Sequence, residues 1–285
     1  ENCNIFPNPS AERTYCTTYG STHAQNTAIN TSIKTELPNI LIIGAIPAQR
    51  ILKVYEYDEY TSTQLTSVQT EAMALDPSKW GISSPTKSEL QASLILSSGE
   101  NAWFPDLTNT NVQTLLLNWA KRQIDSGVDG IWIDMLFNQT ITMFTLTNSK
   151  NHASVIASYN AANQLINNIH AYGTSIGKQI YVGTWATAPL IYDNLKSISG
   201  IVKPNLDFLT VTPFKSEVNT QIMNDSLWTD LTNVRSMYPT TPIFSFLDST
   251  DESSQIAVFS RLSTDIQNNF LITLNDFFKS KNIVF

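Results

Sequence analysis

Apolar residues recur most regularly at Val112, Leu115, Leu116, Trp119, Ala120 and Ile124, the spacing of one face of a helix packed on a sheet. The spacing predicts a helix over residues 111–126. Thr110, followed three residues later by Gln113, reads as a capping box at its start, and Gly127 as its stop. Asp129-Gly130 then turns the chain into a short apolar strand, residues 130–135, whose one charge is Asp134 at its C-terminal end.

Elsewhere strand-like runs alternate with helix-like ones. β-branched and aromatic runs predict strands at 13–20, 39–44, 51–57, 179–184, 206–212 and 242–247, with a last one at 270–274. Helices are expected at 27–36, 153–172, 189–198, 220–238 and 253–267. With 130–135 this makes eight strands. Alternating strands and helices imply parallel pairing, and eight units imply a single (β/α)8 TIM barrel over residues 1–285, with 1–12 as an N-terminal extension. An open doubly wound sheet is the alternative. No Gly-rich phosphate turn follows the first strand, which counts against nucleotide binding.

Composition narrows the partners. The chain has 285 residues, 42% of them hydrophobic, enough for one large core. Only 14% are charged, so Asn, Thr, Ser and Gln must supply the polar surface. With net charge −7 and 17 Lys and Arg, there is no basic patch for nucleic acid. No apolar run is long enough to span a membrane. A chain that starts at Glu1 suggests a processed N-terminus. Cys3 and Cys16, the only cysteines, suit a disulfide closing a short N-terminal loop. Asn30, Asn138 and Asn224 each begin a glycosylation triplet. Together these predict a secreted or cell-surface protein.

The chemistry centres on Asp134. In parallel α/β barrels catalytic groups gather at the C-terminal strand ends. Alternation puts Trp132 on the same strand face, filling the barrel below it. Pro105-Asp106-Leu107-Thr108-Asn109, a helix, then Asp129-Gly130-Ile131-Trp132-Ile133-Asp134-Met135 resembles the core of family 31 glycoside hydrolases. It is also similar to a looser group of shorter glycoside hydrolase-like barrels that share this strand-four motif. The resemblance implies that Asp134 is the catalytic nucleophile. Family 31 continues with Asn-Glu where this chain has Leu136-Phe137, so its sugar specificity does not carry over.

Glycoside hydrolysis ordinarily needs a second carboxylate. Asp248 is the best-placed candidate, following the 242–247 strand on the face of Phe244 and Phe246. Glu56 is next and Glu217 third. Asp251 and Glu252 read as helix-start residues. Trp185, Tyr57, Trp103, Phe214 and Trp80 could stack on sugar rings, with Glu217 beside them as a binding residue. The three histidines, His23, His152 and His170, show no metal-ligand spacing, and no cofactor motif is present. The sequence therefore predicts a secreted two-carboxylate hydrolase of a polysaccharide or glycan. The rival is an inactive barrel acting as an extracellular carbohydrate-binding or structural surface protein. Its few charges would make lateral self-assembly inexpensive in desolvation. A lyase or isomerase on the same fold is a third possibility.

Overall fold

The computed structural model describes residues 23–54, 56–94, 102–248 and 254–285. Cys3, Cys16, the extension 1–12, the strand expected at 13–20, and Asp251 with Glu252 lie outside them. In chain order the strands are β1 Ile43–Pro47, β2 Ile51–Leu52, β3 Tyr57–Asp58, β4 Thr63–Gln64, β5 Ala102–Trp103, β6 Gly130–Asp134, β7 Tyr181–Trp185, β8 Phe208–Val211 and β9 Ile243–Ser245. Among the described residues one five-stranded parallel sheet forms, in the order β1-β6-β7-β8-β9. Among the described residues the order advances in one direction, without the reversal that marks a doubly wound sheet.

Two expected barrel strands are something else. Residues 51–57 do not form one parallel strand: β2 pairs antiparallel with β5, and β3 pairs antiparallel with β4. They open an excursion from the end of β1 that returns to the sheet only at the helix Thr110–Asp125. Residues 270–274 lie inside the helix Thr264–Ser280. There Phe270, Leu274 and Phe278 are buried at a spacing of four, a helical period that a five-residue window conceals. The helix expected over 220–238 is broken into Lys215–Thr220, a 3-10 turn at Asp225–Trp228, and Asp230–Met237. A further helix, Asn138–Thr147, follows Asp134 directly, where the sequence reading placed none.

The amphipathic helix forms as its pattern demands. Val112, Leu115, Leu116, Trp119, Ala120 and Ile124 are all buried. Its cap differs: Asn109, not Thr110, accepts from the Asn111 N–H. Gln113 instead spans two segments, donating to the carbonyls of Leu107 and Ala161, each at 2.9 Å. Gln123, on the same helix, donates to the Ala45 carbonyl at 2.7 Å. It can do so because Gly44 has no Cβ; one there would stand 2.0 Å from the Gln123 Oε1.

Two aspartates that immediately precede strands tie their neighbours at the opposite end of the sheet from Asp134. Asp129 accepts from the Ile42 N–H at 2.7 Å and pairs with Lys34 at 2.6 Å. Asp207 accepts from the Val182 N–H at 2.8 Å and from His170 Nε2 at 2.7 Å. His152 caps the helix Ala153–Ser175.

Gly183 faces Phe208, its register partner on β8. A Cβ at Gly183 would lie 2.3–2.5 Å from three ring carbons of that buried phenylalanine. Gly183→Ala is therefore expected to lower unfolding stability by about 1–3 kcal/mol through overpacking. Urea denaturation, with a lower midpoint and unchanged slope, would show it.

Candidate functional site

The register of the sheet assembles the site. Asp134 pairs with Pro47 of β1, Trp132 with Gly183, and Trp185 with Thr210. Alternation along each strand then puts Trp132, Asp134, Trp185, Thr210 and Phe244 on one face. The other face of β6, Ile131 and Ile133, is wholly buried beneath the helices. On the first face, Ile43 and Phe244 stay exposed and Trp132, Asp134 and Trp185 are half-buried, so the carboxylate sits partly enclosed by aromatic side chains.

Three rings form that wall. Trp132 and Trp185 meet edge to face with centroids 5.2 Å apart. Phe246 lies 5.8 Å from Trp132 and 5.6 Å from Trp185. Trp132 is pinned by its indole N–H, which donates to Thr210 Oγ1 at 2.8 Å. The indole N–H of Trp185 donates to Asp134 Oδ1 at 2.7 Å. Gln49 Nε2 donates to Asp134 Oδ2 at 3.2 Å, and the Asp134 carbonyl accepts from the Ala48 N–H at 3.0 Å.

Burial pushes the Asp134 carboxyl above the usual aspartate range, and the Trp185 N–H pulls it back. Asp248 pushes it up again, while Arg50 and the Met135 N–H oppose. Asp248 therefore lies within electrostatic reach of Asp134. Immediately beyond Asp134, Met135 adopts φ +54°, a left-handed conformation uncommon for a side chain of its size. Leu136 and Phe137, the departure from the family 31 pattern, turn into the core and are 0% and 3% exposed.

The other predicted residues are placed elsewhere or otherwise engaged. Both oxygens of Glu56 are taken by backbone N–H groups, Leu52 at 2.5 Å and Tyr57 at 3.0 Å. Tyr57 is itself buried, and its carbonyl accepts from the Trp119 indole. That burial removes its ring from sugar stacking. Trp103 carries Lys53 at 4.3 Å and Lys87 at 5.3 Å over its ring, and Trp80 carries Lys79 at 5.2 Å. Phe214 stays exposed, edge-on to Trp228 at 5.4 Å.

Glu217 is not a free cleft carboxylate. It is 1% exposed and accepts from the Phe214 N–H, the Asn224 N–H and the Trp228 indole at 2.8–2.9 Å. Its geometry organises the loop after β8. Glu217→Ala, which strands the buried Trp228 indole N–H and two part-buried backbone N–H groups, should cost about 2–3 kcal/mol in stability. A drop in thermal midpoint with unaltered affinity for glycan would distinguish that role from substrate binding.

Asp106, in the segment before the helix Thr110–Asp125, is likewise buried. It accepts from Thr108 and Gln139 and pairs with Lys79 at 2.8 Å, bracing the loop before the helix. Of the glycosylation asparagines, Asn30 lies in the helix His23–Glu36 and gives its side-chain N–H to Ser126. Asn138 starts a helix whose Thr140 is buried, while Asn224 is exposed. A depression of about 280 Å³ lined by Val54, Gln64, Leu65, Thr66 and Ser67 belongs to the excursion and holds no titratable group.

The sequence reading missed Gln49 and Arg50. They follow the end of β1, the same topological position that made Asp134 conspicuous, so strand-end position alone could have marked them.

The chain is similar in structure to glycoside hydrolase domains. One is the glycoside hydrolase domain of PelA from Pseudomonas aeruginosa, at 11% identity, covering 90% of this chain and 80% of that one, with a TM-score of 0.48. Another is Aspergillus fumigatus Ega3 in complex with galactosamine, at 9% identity, covering 84% and 76%, with a TM-score of 0.41. No protein-family model and no curated protein matches the sequence. Among the described residues no helix is long and apolar enough to cross a membrane.

Proposed function

We propose that the chain hydrolyses a glycan or polysaccharide by two-carboxylate chemistry, with Asp134 as nucleophile or base and Asp248 as the acid. One observation carries this reading: the carboxylate at the C-terminal end of β6 lies against an aromatic wall, within electrostatic reach of a second carboxylate, Asp248, that follows β9. Such a pair can divide the work of protonating the leaving oxygen and attacking, or activating water at, the anomeric carbon. Trp132, Trp185 and Phe246 offer an apolar surface for the C–H face of a sugar ring. No step requires a cofactor.

This reading takes the five-stranded sheet as part of a barrel of the (β/α)8 type, and the protein as secreted, with Cys3 and Cys16 joined and Asn224 the best-exposed glycosylation position. Its test is release of reducing ends from a panel of neutral, amino and acidic polysaccharides by the wild-type chain and by Asp248→Asn. Release by the wild type, and a loss of about 10²–10⁴-fold in the variant, is the expected result. Binding without cleavage by the wild type would instead favour a carbohydrate-binding surface protein.

A further inference from the structure

Both oxygens of Asp134 have a protein donor before any substrate arrives, Trp185 Nε1–H on Oδ1 and Gln49 Nε2–H on Oδ2. An ionised carboxylate only accepts and satisfies two such donors without conflict. A protonated one must turn one oxygen into a donor. The pair of donors therefore favours the anion and fixes rotation about the Cβ–Cγ bond.

The principal donor is rigidly mounted. The Trp185 ring lies against Trp132, at 73° and 5.2 Å, and against Phe246, at 35° and 5.6 Å. Trp132 is in turn fixed through its own N–H to Thr210. Gln49 reaches Asp134 from two residues beyond Pro47, the register partner of Asp134, and the Ala48 N–H holds that junction to the Asp134 carbonyl. The polar edge of the indole is thus committed to the carboxylate.

We infer that Trp185, seconded by Gln49, is a positioning residue that aims the Asp134 carboxylate at the reacting centre through hydrogen bonds to its two oxygens. The inference rests on the hydrolase reading and adds to it the groups that position its first carboxylate. The charged groups that bear on Asp134 are Asp248, from the end of β9, and Arg50, from the β1–β2 link. Asp248 opposes ionisation of Asp134 and Arg50 supports it. With burial also opposing ionisation, the Trp185 N–H is the largest influence in its favour.

Trp185→Phe keeps an aromatic side chain but removes the five-membered ring with its N–H, whereas Gln49→Leu removes a donor and leaves the aromatic wall intact. The carboxyl titration of Asp134 can be followed by ¹³C NMR on aspartate-labelled protein, assigned by its loss in Asp134→Asn. In Trp185→Phe that titration should move up in pH by about 0.5–1. The acid limb of the kcat/KM profile should move with it, and kcat should fall by up to about 10²-fold with KM little changed. Gln49→Leu should shift the titration in the same direction by less, and it decides the matter if Trp185→Phe does not fold. A folded Trp185→Phe, or in its place Gln49→Leu, with an unmoved Asp134 titration would overturn the inference. A wild type that cleaves no glycan would fail the hydrolase reading instead, while the titration still reports on the donors.

Discussion

Asp134→Asn is expected to cut glycan hydrolysis by at least about 10³-fold while leaving the fold as stable as before, or more so. Asparagine matches aspartate in shape but can neither attack an anomeric carbon nor accept a proton from water. Its Oδ1 can keep the Trp185 N–H, and a turn of the Gln49 amide lets its carbonyl accept from the new Nδ2. No buried donor is stranded. The stability argument follows from the raised carboxyl pKa of Asp134. A group whose pKa is higher folded than unfolded contributes stability at low pH. That contribution is lost as pH rises from the unfolded value through the folded one. At neutral pH the ionised Asp134 is thus a net cost, which Asn removes. Reducing-end assays and urea denaturation at pH 7 read the two effects separately. Residual hydrolysis within about threefold of wild type would remove Asp134 from the mechanism.

The second large effect is on stability against pH. Burial pushes Glu56 from 4.5 up to about 7, against the opposing N–H groups of Leu52 and Tyr57 and the charge of Arg50. Glu59 is pushed up to about 8, first by burial and then by Glu56 and Asp58, with Arg122 opposing. Both folded values exceed the unfolded one, so the stability these groups contribute is full below about pH 4.5. It declines as pH rises to about 7 for Glu56 and about 8 for Glu59. For Glu56 alone the fall amounts to about 3 kcal/mol. Glu59 keeps a partly exposed edge, so solvent screening reduces its share. Urea midpoints should therefore be highest near pH 4.5 and decline toward pH 8. Glu59→Gln should flatten the upper part of the curve. A midpoint that rises across this range would contradict the burial of these carboxyls.

Glu56 also shows what strand position does not reveal. Its sequence context, a carboxylate near the end of an apolar run, resembles that of Asp248. Yet Asp248 interacts with Asp134, while Glu56 is closed off by two backbone amides. The difference lies in the pairing of residues 51–58, which fold back on Ala102–Trp103 and Thr63–Gln64 instead of joining the parallel sheet. Short apolar runs look alike whether their partner is parallel or antiparallel, because the side-chain period is two in both.

What the sequence by itself determined is the segment with the longest unbroken periodicity. Six apolar positions at helical spacing, a glycine stop and a strand with one terminal charge specify the helix Thr110–Asp125, β6 and the place of Asp134 at its C-terminal end. Each of those features is local, so neighbours in the chain suffice to select it. Only the tertiary structure decided which residues surround that carboxylate. Gln49 and Trp185 reach Asp134 from 85 and 51 residues away, through strand register that no local pattern encodes. It also decided that Glu217 is enclosed by Trp228 and two backbone amides rather than open to the cleft. Burial and hydrogen-bond partners belong to packed elements, and packing is set by contacts between distant parts of the chain.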